Sequence, residues 1–188
     1  MRTINAFLFS FAVSALGIMW GGFANAQTPA SPAANTAPVE LAGKNITPIV
    51  QGKTNEGKVF NLANLKGKVA LVMFWSTDCA VCRDKMPELR ENYKGWAGKP
   101  FEMVLISVDR RMKDVNDYEV ILNRMVPMQQ RFVQLWAGEA GYQDNLSSNQ
   151  LQRSQLPATF LVDKAGKIVE RYNGRIPAQV WDSIADLL

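Results

Sequence analysis

The stretch VALVMFWSTDCAVC, residues 69–82, decides the fold of this chain. Its first seven residues form a continuous apolar run of strand length, which is typical of a central strand buried on both faces. A short polar loop leads to Cys79 and Cys82, and the residues around them have the character of a helix start with Asp78 as the expected N-cap. The stretch therefore predicts a strand, a loop and a helix that opens on a Cys-x-x-Cys pair.

The rest of the chain predicts an α/β fold, a sheet with helices on both sides. The interval 128–155 is ambiguous, because 132–136 fits a strand or a helical turn and 138–150 is polar enough for a loop. Apolar residues of the segment 114–125 fall on one helical face, and they are Val115, Tyr118, Leu122 and Met125. The other expected elements are short strands at 46–50 and 59–62 around a turn at 55–58, a buried strand at 101–108, a β-hairpin over 158–172 and a helix at 177–188.

The amino terminus predicts export. Residues 1–26 have the pattern of a secretory signal peptide, with an uncharged apolar stretch at 6–19 and an A-x-A cleavage site that ends at Ala26. An uncleaved anchor is the alternative, since the apolar run extends to residue 23 and approaches the roughly 20 residues that span a bilayer. Residues 27–38 are expected to be a flexible linker and 39–188 one domain, with no stable membrane insertion after cleavage.

Composition removes several classes of function. The chain has 2 Cys and no His, which excludes Ser-His-Asp and Cys-His catalysis and zinc sites of the HExxH type. Its net charge of +4 comes without a basic run, so no nucleic-acid partner is expected. We also expect no cofactor, which leaves the two cysteines as the reactive groups.

A Cys-x-x-Cys pair admits three interpretations, namely a structural bridge, a metal site and a redox-active dithiol. A disulfide across so short a loop constrains little of the unfolded chain, which weakens the first. At a helix N-terminus the unpaired N–H groups and the helix dipole stabilise a thiolate, so Cys79 is expected to be the nucleophile and Cys82 the resolving thiol. Arg83 and Lys85 favour that thiolate, whereas a carboxylate at Asp78 opposes it.

Metal binding has little support in the sequence, and no metal ligand is assigned. A zinc site needs about four ligands, and two cysteines without histidine would leave carboxylates to complete it. Copper(I) stays open as an alternative, because two thiolates can hold it and Met73 and Met86 lie close in sequence. Both methionines are expected to fill the core instead.

Residues 74–82, FWSTDCAVC, resemble the active-site segment of thioredoxin-fold proteins. Pro87 matches the proline inside their active-site helix, and LPATFLVD at 156–163 resembles the segment that carries their cis-proline. The pattern ahead of the central strand, at 57–69, is similar to the TlpA-like branch of exported thiol-disulfide oxidoreductases. That branch also carries an insertion in the stretch that leads to Pro157.

The resemblance implies a thioredoxin-like fold with a central mixed sheet, an N-terminal β-hairpin extension and an insertion before the cis-proline strand. It implies that Pro157 is cis beside the dithiol and that the backbone of Leu156 faces a bound substrate strand. Trp75 would form part of the rim of the substrate site, with core packing as the alternative, and Asp78 would also touch substrate. Pro157 at the start of a strand with no further role is the plainer alternative.

The implied function is reduction of disulfides in exported proteins in the bacterial periplasm, with a membrane donor of thiol electrons as partner. A disulfide oxidase or isomerase, a copper(I)-delivery module and a redox-sensing scaffold are the alternatives.

Four departures from the family pattern leave the redox potential and the proton donor unassigned. Asp78 replaces a tryptophan, Ala-Val separates the cysteines, Met73 stands where thioredoxins have a buried aspartate, and Lys85 stands where some relatives have a glutamate. Asp78 is the nearest candidate for a proton donor, while Glu88 is expected to be solvated.

Overall fold

The computed structural model describes residues 47–147 and 155–188, which lie in one compact unit. The predicted signal peptide and linker lie outside these residues. Within the two ranges, no helix has both the length and the apolar character needed to cross a membrane. The strands are β1 (Val50–Lys53), β2 (Val59–Asn61), β3 (Val69–Trp75), β4 (Phe101–Ser107), β5 (Val133–Trp136), β6 (Gln143–Asp144), β7 (Ala158–Val162) and β8 (Ile168–Asn173), and the α-helices are α1 (Ala80–Gly95), α2 (Met112–Met125) and α3 (Gln179–Leu187).

The central strand is β3, and all seven of its residues are buried. It belongs to a five-stranded mixed sheet with the order β5-β4-β3-β7-β8. Strand β4 runs parallel to β3 and β7 runs antiparallel to it, so β3 is paired on both sides. The predicted central strand and the predicted hairpin of β7 and β8 are confirmed, as is the mixed sheet flanked by helices.

The register of these strands brings distant parts of the chain to one edge of the sheet. Trp75 at the end of β3 pairs with Ser107 at the end of β4. Phe74 pairs with Ala158, the first residue of β7, so Pro157 stands at the same edge as the end of β3. The loop that follows β3, the residues after β4 and the residue before β7 therefore meet where the parallel strands end, the edge at which open α/β sheets place their sites.

Helix α1 packs on the sheet through Cys82, Met86 and Leu89, which are all buried. Its carboxyl end meets α3, where the rings of Trp96 and Trp181 lie 5.7 Å apart. These apolar contacts fix the direction in which α1 leaves the site.

Helix α2 contacts the end of β3 through Tyr118, whose ring lies 5.1 Å from that of Trp75. The helix begins two residues before the predicted start, at Met112. The predicted apolar face is wrong at its end, because Met125 is 75% exposed. Val115 in the first turns is fully buried, whereas the last turn of α2 carries Met125 into solvent.

A smaller antiparallel sheet has the order β2-β1-β6. The predicted strand at 46–50 is wrong: β1 starts at Val50 and continues through Gln51, Gly52 and Lys53, which pair with β2. This strand is mostly polar and is held by backbone hydrogen bonds to its neighbours. A search for apolar runs does not detect such a strand. Strand β6 lies within the predicted loop 138–150 and pairs with β1, while β5 settles the ambiguity at 132–136 in favour of a strand.

The turn between β1 and β2 covers the outer edge of β5. Thr54 forms a β-bridge with Leu135, and the N–H of Asn55 donates to the carbonyl of Gln134 at 2.9 Å. The side-chain amide of Asn55 donates to Glu119 of α2. The N-terminal hairpin is thus joined to the main sheet through backbone hydrogen bonds and to α2 through the side chain of Asn55.

Replacing Leu89 with alanine is expected to lower the free energy of unfolding by about 2–5 kcal/mol, because it removes a fully buried side chain that seats α1 on the core. Urea denaturation measures the change. Glu91→Ala on the same helix is the control, since its side chain is 71% exposed and its loss should alter stability by no more than about 0.5 kcal/mol. Equal midpoints for the two variants would contradict this account of α1.

Candidate active site

Cys79 and Cys82 form a disulfide at the start of α1, with their Cα atoms 5.2 Å apart. Cys79 is partly exposed, whereas Cys82 is fully buried. Cys79 is itself the N-cap of α1, and its Sγ accepts the backbone N–H of Cys82 at 3.1 Å. The prediction that Asp78 caps the helix is therefore wrong, because α1 begins one residue later than such a cap requires and the Asp78 carboxylate accepts from the hydroxyl of Ser76.

Backbone hydrogen bonds close the loop at 76–78 and the first turn of α1 that follows it. The N–H of Cys79 donates to the carbonyl of Ser76 at 3.1 Å, and the N–H of Arg83 donates to the carbonyl of Cys79 at 3.1 Å. The guanidinium of Arg83 also reaches back to the carbonyl of Thr77. The guanidinium of Arg83 thus lies against the loop before Cys79, and its effect on a Cys79 thiolate stays a prediction.

Asp109 lies beneath this loop and is not among the site residues predicted from the sequence. Its carboxylate accepts the N–H of Thr77 at 3.1 Å and the hydroxyl of Thr77 at 2.7 Å. The hydroxyl of Ser107 donates to the same carboxylate at 2.6 Å. Asp109 is only 6% exposed. An acidic residue two positions after a buried parallel strand is the signal that could have identified it, since such residues lie at the edge where sites form.

The peptide bond between Leu156 and Pro157 is cis, which confirms the predicted geometry. Both residues are buried, and the carbonyl of Pro157 accepts the N–H of Gly174 at 2.8 Å. The structure therefore brings Pro157 to the sheet edge that carries the dithiol. The substrate-binding roles expected for Leu156 and Pro157 stay predictions.

Trp75 and Asp78 occupy different environments. Trp75 is 1% exposed and packs against Tyr118, so its surroundings are those of the core-packing alternative and not of a rim. Asp78 is exposed directly before Cys79, where a bound substrate could reach it. A substrate-binding role for either side chain stays a prediction.

Glu88 is engaged by two donors. The ammonium of Lys85 and the indole N–H of Trp181 each lie 2.7 Å from its carboxylate. Partial burial raises the pKa of Glu88, but these two hydrogen bonds and the charge of Lys85 outweigh it and hold the pKa below its ordinary value. Its side chain is 45% exposed, in keeping with the predicted solvation, and its ionised form does not suit it to donate a proton.

The methionines considered for copper lie in the core, with Met73 fully buried and Met86 1% exposed. Met73 pairs with Thr159 in the centre of the sheet. Among residues 47–147 and 155–188, no three or more Cys, Asp or Glu side chains are grouped so that they could hold a metal ion. Core packing accounts for both methionines.

A mixed sheet, a disulfide at the N-terminus of a helix and a cis-proline at the same sheet edge define a thioredoxin-fold protein with a redox dithiol. The chain belongs to the AhpC/TSA family, whose model matches residues 44–171. This match confirms the family resemblance that the sequence motifs indicate.

Relatives and solved structures agree with this assignment. The chain is 31% identical over 123 residues to the thiol-disulfide oxidoreductase ResA of Bacillus thuringiensis, a match that covers 63% of this chain and 62% of the relative. The thioredoxin domain of a thiol-disulfide oxidoreductase from Bacteroides vulgatus superposes with a TM-score of 0.57 at 24% identity, over 75% of this chain and 94% of that domain. StoA from Bacillus subtilis gives a TM-score of 0.56 at 18% identity, over 76% and 99% of the two chains. These two structures show the same fold.

After reduction, iodoacetamide is expected to alkylate Cys79 about tenfold or more faster than Cys82, because only Cys79 is accessible and helix-capping. Fragmentation of the labelled peptide by mass spectrometry measures the ratio. In a Cys79→Ser variant, Cys82 should react slowly in the native protein and rapidly in urea. Equal labelling of the two thiols in the native state would show that Cys79 is not the outer thiol.

Proposed function

We propose that this protein is a thiol-disulfide oxidoreductase that works through the Cys79–Cys82 dithiol. One observation carries the proposal: Cys79 is accessible and caps α1 with its sulfur, while Cys82 is buried within bonding distance behind it. The two sulfurs therefore differ in the way that a nucleophile and a resolving thiol must differ. The name of the ResA relatives supports the same chemistry.

The first step uses Cys79. In the disulfide form its sulfur accepts the N–H of Cys82 at the positive end of the α1 dipole. A thiolate in this position is stabilised, which lowers the pKa of such a thiol from the free value of about 8.5. The thiolate attacks one sulfur of a substrate disulfide. A bond forms between Cys79 and that sulfur, the substrate S–S bond breaks, and the other substrate sulfur leaves as a thiolate.

The second step uses Cys82. Its thiol loses a proton and attacks Cys79, which restores the Cys79–Cys82 disulfide and releases the second substrate thiolate. Two electrons pass from the dithiol to the substrate, and two protons complete the substrate thiols. The Asp78 carboxyl is the acid nearest to Cys79 in sequence, and water supplies protons to any thiolate released at the surface.

We assign the protein to the reduction of disulfides in exported proteins in the periplasm. The pattern of an apolar stretch followed by an A-x-A site at 24–26 supports export. A reductase in an oxidising compartment must be reduced again, which requires a membrane donor of dithiol electrons. The chain spans about 62% of the length of the curated ResA relatives, and substrate and donor are part of this proposal.

A Cys82→Ser variant is expected to accumulate mixed disulfides between Cys79 and exported proteins, because the second step is blocked. Non-reducing electrophoresis of the variant, expressed with its leader, shows the adducts and mass spectrometry identifies the partners. Cys79→Ser and the double variant are the controls, and both should trap nothing and reduce no disulfide. The absence of adducts with Cys82→Ser would argue against an exchange enzyme.

An oxidase is the second candidate, because the hydrogen bond from Cys82 N–H to Cys79 Sγ stabilises a thiolate and a stabilised reduced form makes the disulfide more oxidising. The reduction potential decides between the two. We expect a value near the roughly −270 mV of thioredoxin, and a value near about −120 mV would favour the oxidase. Equilibration with glutathione or dithiothreitol buffers measures it.

A further inference from the structure

The position of Cys79 depends on a loop that contains no cysteine. Ser76, Thr77 and Asp78 connect the end of β3 to the N-cap residue, and the carbonyl of Ser76 accepts the N–H of Cys79. If this loop changed its path, the sulfur of Cys79 would leave the N–H of Cys82 that it accepts at 3.1 Å. Whatever fixes the loop therefore fixes the environment of the reactive sulfur.

The carboxylate of Asp109 holds Thr77 by two different groups. It accepts the backbone N–H and the side-chain hydroxyl, and the second bond measures 2.7 Å. Because Asp109 is 6% exposed, removal of its carboxylate would leave the donors of Thr77 and Ser107 without their partner in a region that water reaches poorly. Charge-assisted bonds of this kind are the stronger class of hydrogen bond in proteins.

Asp109 is itself held by elements outside the loop. Its N–H donates to the hydroxyl of Ser107 at 3.1 Å, and its carbonyl accepts the indole N–H of Trp136, at the end of β5, at 2.7 Å. The ring of Trp136 lies so close to Gly138 that a Cβ there would overlap it. The ends of β4 and β5 thus immobilise Asp109, and the loop before Cys79 adapts to its carboxylate.

We propose that Asp109 is a positioning residue of the dithiol, which holds Thr77 so that Cys79 stays at the N-cap of α1. The inference rests on the proposed function, in which Cys79 acts as a thiolate. Asp109 transfers no proton and touches no sulfur in this scheme. It acts through Thr77, and its hydrogen bond with Trp136 joins the end of β5 to the reactive loop.

The alternative is that Asp109 contributes to stability alone. Asp144 offers a matched control, because its carboxylate accepts the N–H of Leu146 at 2.9 Å and the hydroxyl of Ser147 at 2.8 Å. The bonding resembles that of Asp109, but Asp144 lies in β6 of the smaller sheet. A purely structural role predicts similar consequences for the two aspartates.

The experiment compares Asp109→Ala, Asp109→Asn, Thr77→Val and Asp144→Ala with the unmodified full chain. The pH dependence of alkylation at Cys79 gives the pKa of its thiol, and circular dichroism checks folding. We expect Asp109→Ala to raise this pKa toward the free value of about 8.5 and to slow alkylation near pH 6 by about three- to tenfold. Asp109→Asn, which keeps an acceptor oxygen, should raise the pKa of the Cys79 thiol less. Asp144→Ala should leave this pKa unchanged.

Thr77→Val gives the decisive comparison, because it removes one hydrogen bond without changing the charge near Cys79. In Thr77→Val the pKa of the Cys79 thiol should rise, as it does in Asp109→Ala, but by a smaller amount. Three results would each overturn the proposal. The first is a folded Thr77→Val variant whose Cys79 pKa equals that of the unmodified protein. The others are a lowered or unchanged Cys79 pKa in Asp109→Ala, and an equal effect of Asp144→Ala on this pKa. If Asp109→Ala does not fold, Thr77→Val alone decides.

The same samples separate this inference from the proposed function. Exchange with a small aromatic disulfide reports on the oxidoreductase activity, whereas the thiol pKa needs no partner. A protein whose Cys79 pKa follows the expected order but which exchanges with no disulfide would contradict the proposed function and support the positioning role.

Discussion

The burial of β3 on both faces is the constraint on which the site depends. Full burial of one larger apolar side chain contributes about 1.5–3 kcal/mol, which is as much as one hydrogen bond to the charged Asp109 carboxylate in the following loop. All seven residues of β3 are buried, so together they outweigh the few hydrogen bonds of the loop. The strand is also paired along both edges by β4 and β7. The position of β3 is therefore set by the core. The loop from Ser76 to Cys79 begins at the fixed end of this strand, so it has to adapt to the strand and not the reverse.

The elements that could be predicted from the sequence are those with a local signal. Strand β3 is an unbroken apolar run, and β7 with β8 has the pattern of two strands around a tight turn. Strands β1 and β6 have no such signal, because β1 is mostly polar and β6 has only two residues. Strand β1 is held by the nearby β2, and β6 forms because Asp144 and Gln143 pair with Val50 and Gln51 across more than ninety residues of chain. Pairing over that distance leaves no mark in either segment.

The candidate site divides in the same way. A dithiol beside a cis-proline could be predicted from the sequence, because the spacing of Cys79 and Cys82 and the family motif around Pro157 both indicate it. The role of Cys79 as the helix N-cap could not be predicted from the sequence. The N-cap preferences of amino acids favour the neighbouring Asp78, and the choice is decided by the residue at which α1 begins. Asp109 can be recognised as a site residue only from the register of β3 and β4, which places the ends of the two strands side by side.

The contact of the β1–β2 turn with β5 also covers backbone groups at an edge of the main sheet. An uncovered edge strand offers its backbone groups to any other extended chain, and such edges initiate aggregation. Here Thr54 and Asn55 already occupy part of the outer edge of β5. The opposite edge, β8, carries Glu170 and Arg171, charges of the kind that discourage strand addition. The hairpin extension thus leaves fewer backbone groups of β5 open to pairing with a second chain.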